Sequence, residues 1–195
     1  SDQPSYPARV RGCLLGGALG DALGAPVEFL SVAQIRNVFG ADGVTELAPA
    51  YGRVGAITDD TQMTLFTAEG LIRAAQRARD RGLCDPNAVM RHAYWRWLTT
   101  QGYAWDKIAL EGLEAGGWLI EERILHSPRA PGNTCVSALR SVPDDLRARN
   151  DSKGCGGVMR SAPIGLARDV DAFEDGCSFA AITHGHPTGQ LAPGA

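Results

Sequence analysis

The chain has 195 residues, a net charge of −3 and a hydrophobic fraction of 44%, which is typical of one soluble domain with a buried core. Its 19 basic and 22 acidic residues nearly balance, and no basic run exceeds two, which argues against nucleic-acid or anionic-membrane binding. Five widely spaced cysteines without a Cys-x-x-Cys pair disfavour a disulfide framework and a structural zinc site. With no signal or membrane-span pattern, a cytoplasmic protein is expected.

The first residues predict a short disordered leader. Residues 1–8 contain Pro4 and Pro7 among small polar groups, a composition common at mobile termini. We therefore expect a single domain over residues 9–195.

Residues 10–23 predict the first helix, because apolar and small residues recur there at helical spacing. A stripe without side chains runs along it, formed by Gly12, Gly16, Gly20 and Gly24. Each glycine costs roughly 1 kcal/mol relative to alanine in a helix interior. The stripe therefore predicts close approach by another backbone or a ligand.

Further segments also predict helices. Residues 61–79 have a broad apolar face with basic residues near the C-terminal end, where the helix dipole favours them. Another helix is expected to begin at Asp85-Pro86, a capping side chain followed by proline. The remaining predicted helices are 105–119, 134–140, 158–167 and 170–183. No segment shows the sustained alternation of a strand, so the predicted fold class is all-α.

Four oxygen-bearing side chains follow one another at Thr58, Asp59, Asp60 and Thr61. Hard cations such as Mg²⁺ bind carboxylate and hydroxyl oxygens, so this turn suits part of a metal shell. The same residues also suit a helix start, where Thr caps and Asp opposes the dipole. Residue types alone favour that simpler interpretation.

Two more acids flank a glycine-rich turn. Glu28 follows Pro26 among apolar neighbours, where a raised pKa would suit it to handle a proton or a water. A solvated loop glutamate is the alternative, and the residues alone favour it. For Asp21, at the end of the first helix, a hydrogen bond to nearby backbone is the plain interpretation.

A glycine-rich loop opens into the predicted helix at 158. Its backbone N–H groups suit phosphate oxygens, although a flexible connection has the same composition. The loop consists of Ser152, Lys153, Gly154, Cys155, Gly156, Gly157, Val158 and Met159. His184 and His186 lack the spacing of zinc proteases, and they suit either a helix C-cap or a contact with a ligand phosphate or hydroxyl.

Taken together, four segments resemble the ADP-ribosylglycohydrolase family. In chain order they are Gly-Ala-Leu-Gly-Asp-Ala-Leu-Gly-Ala-Pro-Val-Glu at 17–28, Ile-Thr-Asp-Asp-Thr-Gln-Met at 57–63, Gly-Cys-Gly-Gly-Val-Met-Arg-Ser-Ala-Pro at 154–163 and Thr-His-Gly-His-Pro-Thr-Gly at 183–189. The resemblance runs from about Arg9 to Ala195. It implies a compact orthogonal helical bundle with a binuclear Mg²⁺ site, Mn²⁺ being a possible substitute, and hydrolysis of the glycosidic bond between ADP-ribose and an acceptor.

The resemblance also implies roles for single residues. Thr58, Asp59 and Asp60 become metal ligands, and Glu28 becomes the catalytic residue near the activated water or the substrate ribose. The loop 152–159 is assigned to the diphosphate and ribose, and His184 to a substrate contact. The implied partner is ADP-ribose, or an ADP-ribosylated protein or small molecule.

The chain departs from the family pattern in one respect. Family members supply further metal ligands from a later Asp-x-Asp-Thr motif, whereas the nearest string here, residues 169–172, lacks the threonine and precedes the His-Gly-His segment. We therefore expect the N-terminal part of the family domain, completed by residues beyond this sequence or by a separate polypeptide. The alternatives are an ADP-ribose or nucleotide binding module without turnover, and a metal hydrolase for another substrate.

Overall fold

A computed structural model describes residues 3–103, 116–141, 146–168 and 170–195. Its α-helices are α1 (Tyr6–Gly24), α2 (Val32–Phe39), α3 (Asp59–Arg81), α4 (Pro86–Thr100), α5 (Asn133–Arg140), α6 (Ala172–Ala181) and α7 (Pro187–Leu191). Short 3-10 helices lie at Leu119–Glu121, Arg123–Leu125, Cys155–Arg160, Ile164–Leu166 and Ala192–Gly194. The antiparallel pair β1 (Pro49–Ala50) and β2 (Arg53–Val54) is the only sheet in these ranges. The predicted all-α fold class is confirmed.

Helix α3 is the central element, and its ends follow from its sequence. The side chain of Thr58 accepts a hydrogen bond from the Asp60 N–H at 3.3 Å and caps the N-terminus. At the other end Gly82 adopts a left-handed conformation with φ +69°, which glycine tolerates best. The cap therefore fixes where the Thr-Asp-Asp turn lies relative to the helix.

The hydrophobic core lies between α3 and α4. Met63 and Phe66 of α3 are fully buried against Met90 and Trp97 of α4. At Gly70 a Cβ atom would lie 2.8 Å from the Met90 sulfur, so a larger residue there would have to displace the end of the Met90 side chain. This packing holds the N-terminal turn of α3 on a rigid base.

The structure corrects several predicted boundaries. Helix α1 begins at Tyr6, so residues 6–8 of the predicted leader are helical. Pro7 suits the first turn of a helix, and the Tyr6 hydroxyl anchors this turn by donating to the Leu166 carbonyl at 2.8 Å. The predicted helix 158–167 is two 3-10 helices interrupted near Pro163, which cannot donate to a continuous helix. Helix α2 was not predicted, and neither was the β pair, whose strands have only two residues each. Most of the predicted helix 105–119 lies outside the described residues.

The expectation that another backbone packs closely on the glycine stripe of α1 is wrong for the described residues, and close approach by a ligand stays a prediction. A Cβ atom placed on Gly12, Gly16, Gly20 or Gly24 would have no atom of the described chain within 4 Å. The stripe is therefore open, and its C-terminal part borders the cavity described below. No helix in the described ranges is both long and apolar enough to cross a bilayer.

Two glycine substitutions test this arrangement. Gly16→Ala fills open space in an exposed helix and should raise the free energy of unfolding by about 1 kcal/mol. In Gly185→Ala the new Cβ would collide with the Asn150 carbonyl oxygen, and the free energy should fall by about 2 kcal/mol or more. Urea denaturation measures both. A loss of stability in Gly16→Ala would show that the stripe is covered after all.

Candidate active site

The carboxylate of Asp21 joins the C-terminal end of α1 to the N-terminal end of α3. Its two oxygens accept hydrogen bonds from the Thr58 N–H (2.8 Å) and hydroxyl (2.7 Å) and from the Thr61 N–H (3.2 Å) and hydroxyl (2.5 Å). This long-range role of Asp21 differs from the predicted hydrogen bond to nearby backbone. Its one sequence signal was an acid within an otherwise small and apolar helix.

Asp59 is nearly buried, with 3% of its surface exposed. Its Oδ2 atom accepts a hydrogen bond from the Gly132 N–H at 3.0 Å, and its own N–H donates to the Arg129 carbonyl at 3.0 Å. Burial raises the pKa of Asp59 to about 7, and the nearby charges of Asp60 and Glu28 add to this effect. The bond from Gly132 lowers the pKa but does not outweigh the loss of water.

Asp60 and Glu28 lie close to the same charge cluster. Burial and the charge of Asp21 raise the pKa of the Asp60 carboxyl. Glu28 is exposed as a residue, yet partial burial of its carboxyl, followed by the charges of Asp60 and Asp21, raises its pKa as well. The two acids that sequence analysis considered separately therefore share one electrostatic environment.

The turn between β1 and β2 brings Tyr51 to this environment, a residue that sequence analysis missed. Tyr51 and Gly52 have φ values of +47° and +78°, as in the tight turns that suit hairpins. Burial raises the pKa of the Tyr51 phenol, and the charges of Glu28, Asp59 and Asp21 raise it further. A non-glycine residue with positive φ is uncommon, and here it lies beside the acids.

An acidic cavity of about 550 Å³ lies between α1, the first turns of α3 and the 3-10 helix Cys155–Arg160. Its lining includes Asp21, Glu28, Asp60, Cys155 and Met159, together with Thr58 and Thr61. The volume is within the range of small-molecule sites. Asp59 is not among the lining residues, because its carboxylate faces Gly132.

The donors around the acidic cavity fit a hard cation. Among the described residues no Lys, Arg or His forms an ion pair with Glu28, Asp59 or Asp60, so no basic side chain compensates their negative charges when they are ionised. Thr58 Oγ1 donates to Asp21 and accepts from the Asp60 N–H, which leaves one lone pair free. In the described ranges no three His, Cys, Asp or Glu side chains are grouped closely enough to hold a metal alone. Mg²⁺ commonly takes one or two carboxylates and keeps several waters.

The glycine-rich loop lies over a buried cation that sequence analysis missed, Arg160. The Arg160 guanidinium is 1% exposed and donates to the Gly156 carbonyl at 2.7 Å and the Thr183 hydroxyl at 2.7 Å. It lies 4.3 Å above the ring of Tyr94. No described carboxylate pairs with it, so a positive charge lies beneath the loop.

His184 lies under the same loop and does not line the acidic cavity. It is 1% exposed, its Nδ1 atom is 2.9 Å from the Thr183 hydroxyl, and its Nε2 atom has no hydrogen-bond partner. Burial and the Arg160 charge lower its pKa to about 4, so the ring is neutral near pH 7. A Cβ on Gly156 would lie 3.0 Å from His184 Cε1. The predicted substrate contact of His184 stays a prediction.

Of the other residues predicted to bind the substrate, some line the acidic cavity and some do not. Cys155 and Met159 line the acidic cavity. Ser152 lies outside it, where its hydroxyl is 3.1 Å from that of Thr134 and accepts from the Gly154 N–H at 3.3 Å. His186 is the N-cap of α7, where its ring accepts from the Thr188 N–H at 3.0 Å, so the C-cap interpretation is wrong for this residue.

Comparison with known proteins gives a consistent result. The family model described as ADP-ribosylglycohydrolase matches residues 2–195. An uncharacterized protein of Archaeoglobus fulgidus is 43% identical over 163 residues, covering 81% of this chain and 42% of that protein. The ADP-ribosyl-[dinitrogen reductase] glycohydrolase of Rhodospirillum rubrum is 29% identical, covering 97% of this chain and 55% of that protein. The chain spans about half the length of these relatives, and no solved structure matches it.

The raised pKa of Asp59 predicts a pH-dependent stability. Between about pH 4 and pH 7 the folded protein retains a proton at Asp59 that the unfolded chain has released. The stability from this proton is complete below about pH 4 and is lost as the pH rises through about 7. Asp59→Asn should therefore gain stability over the wild type between pH 4 and pH 8, on the order of 3 kcal/mol.

Chemical denaturation with chelator present, at pH 4 and pH 8, measures this difference. Asp80→Asn is the matched control, since Asp80 lies in the same helix with 65% of its side chain exposed. Parallel pH profiles for the wild type and Asp59→Asn would contradict the raised pKa.

Proposed function

The chain belongs to the ADP-ribosylglycohydrolase family, and we propose that it hydrolyses the glycosidic bond between ADP-ribose and an acceptor with the help of Mg²⁺ or Mn²⁺. The family acts on ADP-ribose linkages, and a relative is named for that activity. The observation that carries the proposal is the acidic cavity, in which Glu28, Asp60 and Thr58 line one space with uncompensated charge.

Thr58, Asp59 and Asp60 would hold the cation. Asp60 and Thr58 line the cavity directly, and Asp59 lies next to both with its carboxylate held by Gly132. When bound, a divalent cation would coordinate and polarise the ribose hydroxyls and so orient the sugar for attack. The hydrogen bonds to Asp21 keep the turn in place, so Thr58 and Asp60 line the cavity before a cation binds, whereas the Oδ2 atom of Asp59 is engaged by the Gly132 N–H.

Glu28 is the proposed proton acceptor. Its pKa is raised by partial burial and by its acidic neighbours, and a base works best when its pKa lies near the working pH. As the bond from C1″ to the acceptor breaks and water forms the new C1″–O bond, Glu28 accepts the proton that the water loses, and the departing acceptor takes up a proton from Glu28 or from solvent. Its exposure at the rim leaves room for an acceptor group to leave.

The loop 152–159 is the proposed site of the diphosphate and ribose. Cys155 and Met159 border the cavity, and the Arg160 guanidinium beneath the loop supplies positive charge. A desolvated cation acts over a greater distance than an exposed one. The cavity thus has a negative wall for a cation and the ribose, and a buried positive charge lies behind the loop proposed for the diphosphate without lining the cavity.

Aspartate substitutions test the proposed metal site. Asp59→Ala and Asp60→Ala should abolish chelator-sensitive release of ADP-ribose from a panel of ADP-ribosylated acceptors, while circular dichroism still shows a folded protein. Asp80→Ala, exposed on the same helix, should release ADP-ribose like the wild type. Full activity in either of the first two variants would refute the metal assignment.

The same panel separates hydrolysis from the alternative of a binding module. Calorimetry with ADP-ribose and Mg²⁺ is measured on the same wild-type sample. Binding without release of ADP-ribose from any acceptor would favour the module over the enzyme.

Glu28→Gln tests the proposed base. The amide cannot accept a proton, so kcat should fall by about 100-fold or more, while ADP-ribose binds as before. Glu46→Gln is the control, because Glu46 is also exposed but is not among the residues lining the cavity. A Glu28→Gln enzyme with unchanged kcat would remove Glu28 from the mechanism.

A further inference from the structure

Gln62, two residues after the Asp pair, lies at the centre of a buried polar network. It has no exposed surface. Its Oε1 atom accepts hydrogen bonds from Trp97 Nε1 at 3.2 Å and from Gln101 Nε2 at 2.9 Å. Its Nε2 atom donates to the carbonyls of Ser127 at 3.0 Å and Leu125 at 3.4 Å. Both ends of the amide are therefore engaged.

The orientation of this amide is determined by its partners. An indole N–H can only donate and a backbone carbonyl can only accept, so the Gln62 oxygen must face Trp97 and the nitrogen must face the loop. Glutamate has the same shape but no donor for the two carbonyls when ionised. Methionine has similar length but leaves the carbonyls and the Trp97 N–H unsatisfied, which is costly in a buried site.

The loop that Gln62 holds is the loop that contacts Asp59. Beyond Ser127 the chain runs to Arg129, whose carbonyl accepts from the Asp59 N–H at 3.0 Å and whose guanidinium donates to the Ile57 carbonyl at 3.1 Å. It then reaches Gly132, whose N–H donates to Asp59 Oδ2 at 3.0 Å. The backbone and the carboxylate of Asp59 are thus both bound by one loop.

We infer that Gln62 is a positioning residue for Asp59. From the core side of α3 it anchors the loop 125–132, and this loop holds the Asp59 carboxylate in its place beside Thr58 and Asp60. Gln62 itself touches neither the acidic cavity nor the carboxylate. The consequence for a bound cation rests on the proposed function, whereas the effect on the loop does not.

A purely structural role makes a different prediction. If Gln62 only stabilised the core, then loss of any hydrogen bond in its network would lower the free energy of unfolding, with no specific effect on the amides of Asp59 and Gly132. Gln101 provides the comparison, because its side chain binds Gln62 Oε1 and Thr100 but has no contact with the loop carbonyls among its described bonds. A positioning role requires that Gln62 and Gln101 differ.

The experiment compares Gln62→Met with Gln101→Met by amide hydrogen exchange, read at Asp59 and Gly132. Both variants are expected to lower the melting temperature. Only Gln62→Met should accelerate exchange at the two amides, by about tenfold or more, since their acceptors lie in or against the released loop. If Gln62→Met does not fold, Gln62→Glu is used instead, because it retains the acceptor for Trp97.

Binding of Mn²⁺, followed by electron paramagnetic resonance, is the second measurement. Gln62→Met should weaken Mn²⁺ binding by about tenfold, whereas Gln101→Met should leave it within about twofold. Unchanged exchange at Asp59 and Gly132 in the Gln62 variant, or equal acceleration in the Gln101 variant, would overturn the inference. If the wild type binds no Mn²⁺, the proposed metal site fails, and the exchange rates still decide the role of Gln62.

Discussion

The site depends on one carboxylate that receives four hydrogen bonds from another part of the chain. Asp21 lies at the end of α1, where the helix dipole disfavours a negative charge, yet its oxygens bind the N–H and hydroxyl groups of Thr58 and Thr61. These donors belong to the start of α3, where the dipole favours an anion. Helix α1 thus supplies a negative charge at the N-terminus of α3, and this interaction fixes the Thr-Asp-Asp turn where α3 begins.

The fold keeps the acidic side chains around the cavity unpaired with the buried Arg160. Burial and mutual repulsion raise the pKa of Asp59, Asp60 and Glu28, and Arg160 lies buried beneath the loop without a described carboxylate partner. Bringing Arg160 to these acids would neutralise both and remove any reason for a charged ligand to bind. Instead, carbonyls, a hydroxyl and the Tyr94 ring compensate Arg160, and the acids stay available.

How far the sequence predicted the site depends on whether a contact is local. The helix start at Thr58 was predictable, because capping depends on residues a few positions apart, and Thr58 does cap α3. The binding of Asp21 to Thr58 spans 37 positions, and no local pattern encodes it. His184 was singled out as a ligand contact, yet the same sequence fits a buried ring, since only packing decides its exposure. Arg160 escaped notice because an isolated arginine predicts a surface residue.

The two interpretations of the Thr-Asp-Asp turn are compatible. Thr58 caps α3 with one lone pair and keeps another, and adjacent carboxylates at a helix start project about 100° apart. Asp60 therefore faces the cavity while Asp59 faces the loop at Gly132. Capping of the helix does not require the Asp59 side chain to be held in a fixed direction. Binding of a ligand by both aspartates would require both side chains to be held. The loop and Gln62 fix the direction of Asp59 that capping does not use, so capping alone does not account for how Asp59 is held, and the proposed metal site is one role that would require it.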